Sequence, residues 1–212
     1  MVEAKLIRDF FELLNNKGVR YVLIKNDRNL IPEFVKDGDD IDILIHPQNY
    51  DYFIKLMFEN NYIRLPGESH KYFFVYKLKP DIYLEKDGAF FHAYDKLSCV
   101  SFTNMGKSKI PLDNFIQDYI WKTCIWDKEK KWWIMEDRVI LLYLIIRSVL
   151  DKKEFRKKYI EEIKLRSNFL DDIKFKEMCN LVFFKFTDNL IELLKIEKYD
   201  EIILKYQHFC DY

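Results

Sequence analysis

Glycine is scarce in this chain, five in 212 residues, and there is no internal repeat and no low-complexity tract. Cysteine is sparse and scattered: Cys99, Cys124, Cys179 and Cys210 form no CxxC pair and no zinc-finger spacing with the four histidines, which points to reduced, mostly buried thiols. Excess charge of either sign is absent, with 35 Lys and Arg against 35 Asp and Glu. That balance removes the strongest sequence argument for a nucleic-acid partner. The longest apolar run, Val139 to Ile146, is far short of the roughly 20 residues that span a bilayer. The N-terminus, Met1 to Asp9, is charged throughout and lacks the apolar stretch of a secretory signal, so a cytoplasmic protein is expected. What the chain has is core: 49% hydrophobic residues suffice for one domain or two small ones.

The segment Asp39-Asp40-Ile41-Asp42-Ile43-Leu44-Ile45 stands out within that apolar background. Side chains alternate along a strand, so Asp40 and Asp42 share one face while Ile41, Ile43 and Ile45 share the other. Like charges repel and Asp is a poor strand former, so a pair placed in this way asks for a counter-ion such as a hard divalent cation. Asp81, before the apolar residues Ile82-Tyr83-Leu84, is a third candidate, although Lys79-Pro80-Asp81 is also ordinary turn chemistry. His46 falls on the Asp42 face if the strand continues, but His46-Pro47 more naturally closes it.

Periodicity predicts a helix over 3–16, a buried strand at 20–25, a loop over 27–38, the acidic strand at 40–46 and a helix over 49–60. Short strands are expected at 72–76, 82–84, 89–91 and 99–102, separated by turn residues. Helices are expected at 114–124, 136–150, 155–165, 173–184 and 192–206. The fold class that follows is α+β, with an α/β domain at 1–108 and a helical domain at 109–212, joined near Met105 to Pro111. Trp121, Trp126, Trp132 and Trp133, with Lys122, Lys128, Lys130 and Lys131 among them, can be read as a stacking platform for bases or sugars, but helix packing accounts for most of the pattern. Arg147 is expected to neutralise a carboxylate.

The order helix, strand, Asp-x-Asp strand, helix and further acidic strand, followed by a helical part, resembles the nucleotidyltransferase fold of the polymerase-β type. More narrowly, Tyr21-Val22-Leu23-Ile24-Lys25-Asn26, a loop and Asp40-Ile41-Asp42-Ile43-Leu44-Ile45 are similar to bacterial nucleotidyltransferase-like proteins often associated with surface-polysaccharide genes. The resemblance implies a mixed sheet with flanking helices followed by a helical C-terminal bundle. It implies that Asp40, Asp42 and Asp81 form the catalytic site and hold magnesium or manganese, with a nucleoside triphosphate as one substrate and a small molecule or polysaccharide precursor as acceptor. One departure concerns the first strand, where the family carries Gly-Ser or Gly-Gly for close approach to the triphosphate. Here the place reads Lys25-Asn26-Asp27-Arg28, so phosphate contact is expected from Lys25, Asn26 and Arg28. That departure also motivates an alternative, a catalytically degenerate nucleotide-binding or protein-interaction module. A metal-dependent nuclease is a third class, carried only by the poorly spaced Asp81, Glu85 and Lys86.

Overall fold

The computed structural model describes residues 3–24, 31–33, 35, 39–66, 72–74, 79, 81–103 and 106–210. Its first element is helix α1 (Ala4–Asn16), whose buried residues Ile7, Phe10, Phe11 and Leu14 follow the i, i+3, i+4, i+7 stripe of an amphipathic helix. The helix stops where Gly18 takes φ 65°, a left-handed conformation that costs glycine least. Strand β1 (Tyr21–Leu23) leads to β2 (Asp40–Ile45), and helix α2 (Tyr50–Glu59) follows. Strands β3 (Ile63–Leu65), β4 (Tyr72–Phe74), β5 (Ile82–Lys86), β6 (Ala89–Tyr94), β7 (Ser98–Thr103) and β8 (Gly106–Pro111) come next.

The chain continues through α3 (Asn114–Thr123), a short hairpin of β9 (Ile125–Asp127) and β10 (Trp132–Ile134), and α4 (Asp137–Ile146). A π-helical turn spans Arg147–Lys152, and α5 (Lys157–Leu165), α6 (Ile173–Phe183), α7 (Thr187–Lys195) and α8 (Tyr199–Cys210) complete the described elements. No described helix is long and apolar enough to cross a membrane.

Two sheets result. The larger has seven strands in the order β3-β5-β6-β2-β1-β10-β9, mixed in direction: β2 runs antiparallel to β1 and parallel to β6, while β10 runs parallel to β1. The smaller has the order β4-β8-β7. Alternation along β1 and β2 divides the core. Tyr21, Leu23, Ile41, Ile43 and Ile45 pack on one face with α1 and α2, where the Phe10 ring stacks on Phe91 at 3.9 Å. Val22, Ile24 and Leu44 pack on the other face with the C-terminal helices. The expected mixed sheet, flanking helices and helical C-terminal part are all present.

Four expected elements differ. Within the stretch read as a join, Gly106–Pro111 is strand β8, paired with β7 along its length, while Met105 lies outside the described residues. The Trp-rich segment is not packed helix after residue 123: β9 and β10 form a hairpin whose turn is tied by Asp127 Oδ1 accepting from the Glu129 and Lys130 amides. The helix expected to run to Leu150 leaves α geometry at Arg147. The helix expected over 192–206 is two helices, separated where Glu197 takes φ 57°. For β8 the deciding contact is tertiary, the flanking strands, whereas the hairpin turn at Asp127 and the break at Glu197 are closed by local hydrogen bonds.

Candidate metal centre and its neighbours

Asp40 opens β2 with its side chain 47% exposed, and Asp42, two residues on, is buried. Both sit on the face that Leu44 also occupies, as strand alternation requires. The neighbouring strand β6 sets Asp42 opposite His92 and Leu44 opposite Tyr94. One strand further out, β5 sets Tyr83 opposite His92, and the two rings stack at 3.7 Å. Asp81 lies immediately before β5, so the sheet brings it to the far side of the His92 ring rather than directly beside the first pair.

The imidazole is therefore surrounded by carboxylates. Its Nδ1 lies 3.4 Å from Asp42 Oδ1 and 3.7 Å from Asp40 Oδ2, and its Nε2 lies 3.1 Å from Asp81 Oδ2. Hydrogen-bond accounting decides its protonation. The Tyr94 hydroxyl spends its one proton on Asp42 Oδ1 at 2.8 Å, so its 2.7 Å contact with His92 Nδ1 requires Nδ1 to donate. An ionised Asp81 can only accept, so Nε2 donates as well. His92 is an imidazolium. Burial pulls its pKa down, but hydrogen bonds and charge from Asp40, Asp42 and Asp81 outweigh burial and raise it to about 9. Asp40 contributes through its charge, since 3.7 Å is longer than a hydrogen bond.

Asp81 carries a second cation. The Lys109 ammonium, from β8, pairs with its Oδ2 and also lies 5.1 Å from the centre of the Tyr94 ring. Burial alone would raise the Asp81 pKa, but His92 and Lys109 together hold it below the usual carboxylate range. Beneath this layer, Arg147 donates to Asp151 Oδ2 at 2.7 Å, the carboxylate neutralisation expected of it, while Asp151 Oδ1 accepts from the Val100 amide. Burial keeps the Tyr94 hydroxyl protonated, its pKa pushed well above 10.

His46 sits at the other end of β2, where its Nδ1 accepts from the Gln48 amide and starts the turn at Pro47–Asn49; it closes the strand. Glu85 accepts from the Gly88 amide in the β5–β6 turn. Lys25, Asn26 and Arg28 lie outside the described residues. His92, Tyr94 and Lys109 were not picked out from sequence. His92 and Tyr94 follow directly on the apolar residues 89–91 and could have been found by continuing that strand's alternation against β2. Lys109 had no signal, because it reaches Asp81 from the second sheet.

The donor chemistry can be matched to a cation. Magnesium and manganese take carboxylate oxygens, and Asp40 and Asp42 each offer one, within 4.8 Å of each other and of His92 Nδ1. The two carboxylates fit such an ion. The imidazolium does not, since both its nitrogens carry protons and a neutral imidazole suits zinc, copper, iron or nickel better than magnesium.

No protein-family model and no curated protein matches the chain. Among solved structures, the solution structure of the antibiotic-resistance factor ANT(2'')-Ia matches with a TM-score of 0.50 and 9% identity, over 92% of this chain and 96% of that one. The fold is nucleotidyltransferase-like. A crystal structure of ANT(2'')-Ia in complex with adenylyl-2''-tobramycin has a TM-score of 0.49 and 9% identity, over 82% of this chain and 93% of that one. At such identity the likeness is one of fold, and it extends over the helical half of the chain as well as the sheet.

Proposed function

We propose that this chain is a divalent-metal-dependent nucleotidyltransferase that moves a nucleoside monophosphate from a nucleoside triphosphate to a small acceptor. The observation that carries the reading is the meeting of Asp40, Asp42 and Asp81 around one imidazole, on a nucleotidyltransferase-like fold. Asp40 and Asp42 hold the ion, magnesium or manganese, which when bound supplies positive charge against the phosphates. Asp42 is fixed for this by the Tyr94 hydroxyl, and Tyr94 in turn by His92. Asp81, with a depressed pKa, is a weak base; its part is to orient the acceptor hydroxyl for in-line attack rather than to drive proton removal. Lys25, Asn26 and Arg28 supply the phosphate contacts in this reading. The acceptor is a small molecule or saccharide precursor, consistent with a chain that has no net basic charge to hold a nucleic acid.

A second reading has its own observation. His92 and Lys109 already neutralise much of the acidic cluster, as a bound cation would, so the same residues suit a non-catalytic nucleotide-binding module. Transfer from α-labelled nucleoside triphosphates with magnesium or manganese, across small hydroxylated acceptors, separates the two. The transferase reading expects labelled product and a loss on the order of a hundredfold in Asp42→Asn, the scale on which one group aimed at transition-state charge acts. Calorimetric nucleotide binding without transfer favours the module. Absence of both binding and transfer removes both readings.

A further inference from the structure

At the opposite end of β2 from Asp40, ~17 Å along the strand, the molecule holds a second, differently built concavity. It is an open concavity of about 880 Å³, walled by the end of α1, the end of α3, the start of β1 and the outward face of the β9–β10 hairpin. Trp126 and Trp133 are directly opposite each other across that hairpin, with ring centres 5.3 Å apart and planes at 59°. Alternation sends the neighbouring Trp132 inward, where it is fully buried against Phe11. Trp133, facing outward, is 37% exposed and Trp126 is half-buried, so the two indoles pack across the hairpin on each other rather than into the core. Trp121 forms a third aromatic wall, with the Arg20 guanidinium 5.7 Å from its ring centre.

The charge of this concavity is of one sign. Arg20 and Lys122 line it, no carboxylate does, and among the described residues neither cation has an acidic partner. Cations with no acidic partner among the described residues, beside one exposed and two half-buried indoles, select a ligand that offers both an anionic group and a ring to lie against them. The shape narrows the ring. The two indoles touch each other at 59°, so they offer no pair of parallel planes to sandwich a flat base; what they present is an angled aromatic surface on which a thick, non-planar ring lies by its C–H faces. The volume falls within the ~300–1,000 Å³ of small-molecule sites.

We propose that this concavity is a second ligand site, for an acidic saccharide of one or two units. Its sugar ring packs on the angled Trp126–Trp133 surface and its carboxylate or phosphate meets Arg20 and Lys122. The site shares no residue with the acidic cluster and does not depend on the transferase reading.

Titration of the intact protein with digalacturonate, followed by tryptophan fluorescence and calorimetry, tests it, with cellobiose as the neutral disaccharide and AMP as a flat-ring anion. The expected result is a saturable fluorescence change with digalacturonate and at least tenfold weaker binding of cellobiose. Trp126→Ala is expected to weaken digalacturonate at least tenfold, and Arg20→Gln to weaken it similarly while leaving cellobiose unchanged. Lys122→Gln, at an exposed helix end, repeats the charge test should Arg20→Gln not fold. Asp42→Asn is expected to bind digalacturonate as the unaltered protein does. No saturable response in folded protein, equal binding of cellobiose, tighter binding of AMP that Trp126→Ala abolishes, or parallel loss in Asp42→Asn would each overturn the assignment.

Discussion

At the scale of single residues, the acidic cluster is a set of like charges held together by one proton-rich ring. Asp42 alone would be costly to bury, and its cost is offset by the Tyr94 hydroxyl and the His92 imidazolium. This gives a pH dependence whose sign follows from the direction of the shift. The folded-state pKa of His92 is raised to about 9, against an ordinary value of 6.5, so its contribution to stability is complete below pH 6.5 and is lost as pH rises through 9. The full contribution is of order 3 kcal/mol. Urea midpoints measured from pH 6 to 10 in the presence of a chelator should fall over that window, and His92→Gln should flatten the decline. Tyr94→Phe should cost about 1–3 kcal/mol without removing the pH dependence, because it deletes a buried donor to Asp42 but leaves the three carboxylates around the ring. The aspartates were legible in the sequence because carboxylates are conspicuous in a β-branched run. His92 was not, because a histidine in an aromatic strand acquires its role only from what lies across the sheet.

The elements that position this cluster make demands of their own. The β5–β6 hairpin sets Asp81 and His92 on adjacent strands, and its turn residues Asp87 and Gly88 both have positive φ, 51° and 82°, the pattern of a type I′ turn. A Cβ at Gly88 would meet nothing within 4 Å, so Gly88→Ala tests backbone strain alone. It should cost about 1 kcal/mol and lower the melting temperature by roughly 2–4 °C, as a thermal scan would show. The Lys-Asp-Gly turn was readable from composition because it works through local backbone geometry. The turn at Arg147–Lys152 was not, since its residues continue the apolar pattern of α4. Within it Arg147 pairs with Asp151 four residues on, and Asp151 accepts from the Val100 amide. Asp151→Ala should therefore cost about 2–3 kcal/mol, leaving an unmatched guanidinium and an amide without its acceptor, measurable as a shift in urea midpoint at constant slope. Strand β8 was hidden for a related reason: Gly106, three polar residues and Pro111 have little strand propensity, and the segment is extended because β7 and β4 flank it.

At the scale of the whole molecule, the seven-stranded sheet does not respect a division at residue 108. Strand β10 enters between β1 and β9, pairing Leu23 with Ile134, and the Met135 amide donates to the Leu23 carbonyl. Trp132 lies fully buried in the core that otherwise belongs to α1, α2 and their face of the sheet, against Phe11. In the other direction, Val22, Ile24 and Leu44 of the first strands lie in the core built by α3 to α8. Each half therefore supplies walls to the other's interior. A fragment of residues 1–108 would expose the β1 edge that β10 now covers, empty the Trp132 position, and present Val22, Ile24 and Leu44 to water. Filling the Trp132 site alone is worth about 3–5 kcal/mol on the scale of large-to-small core substitutions, which approaches the whole stability of an ordinary domain. An unpaired edge beside an exposed apolar face is in addition a template for association. The expected outcome is that residues 1–108, expressed alone, give no dispersed amide spectrum and elute as aggregate or unfolded chain, whereas residues 1–210 give a single cooperative unfolding transition. Cooperative folding of the short fragment would mean that β9, β10 and α4 dock onto a finished domain rather than complete it.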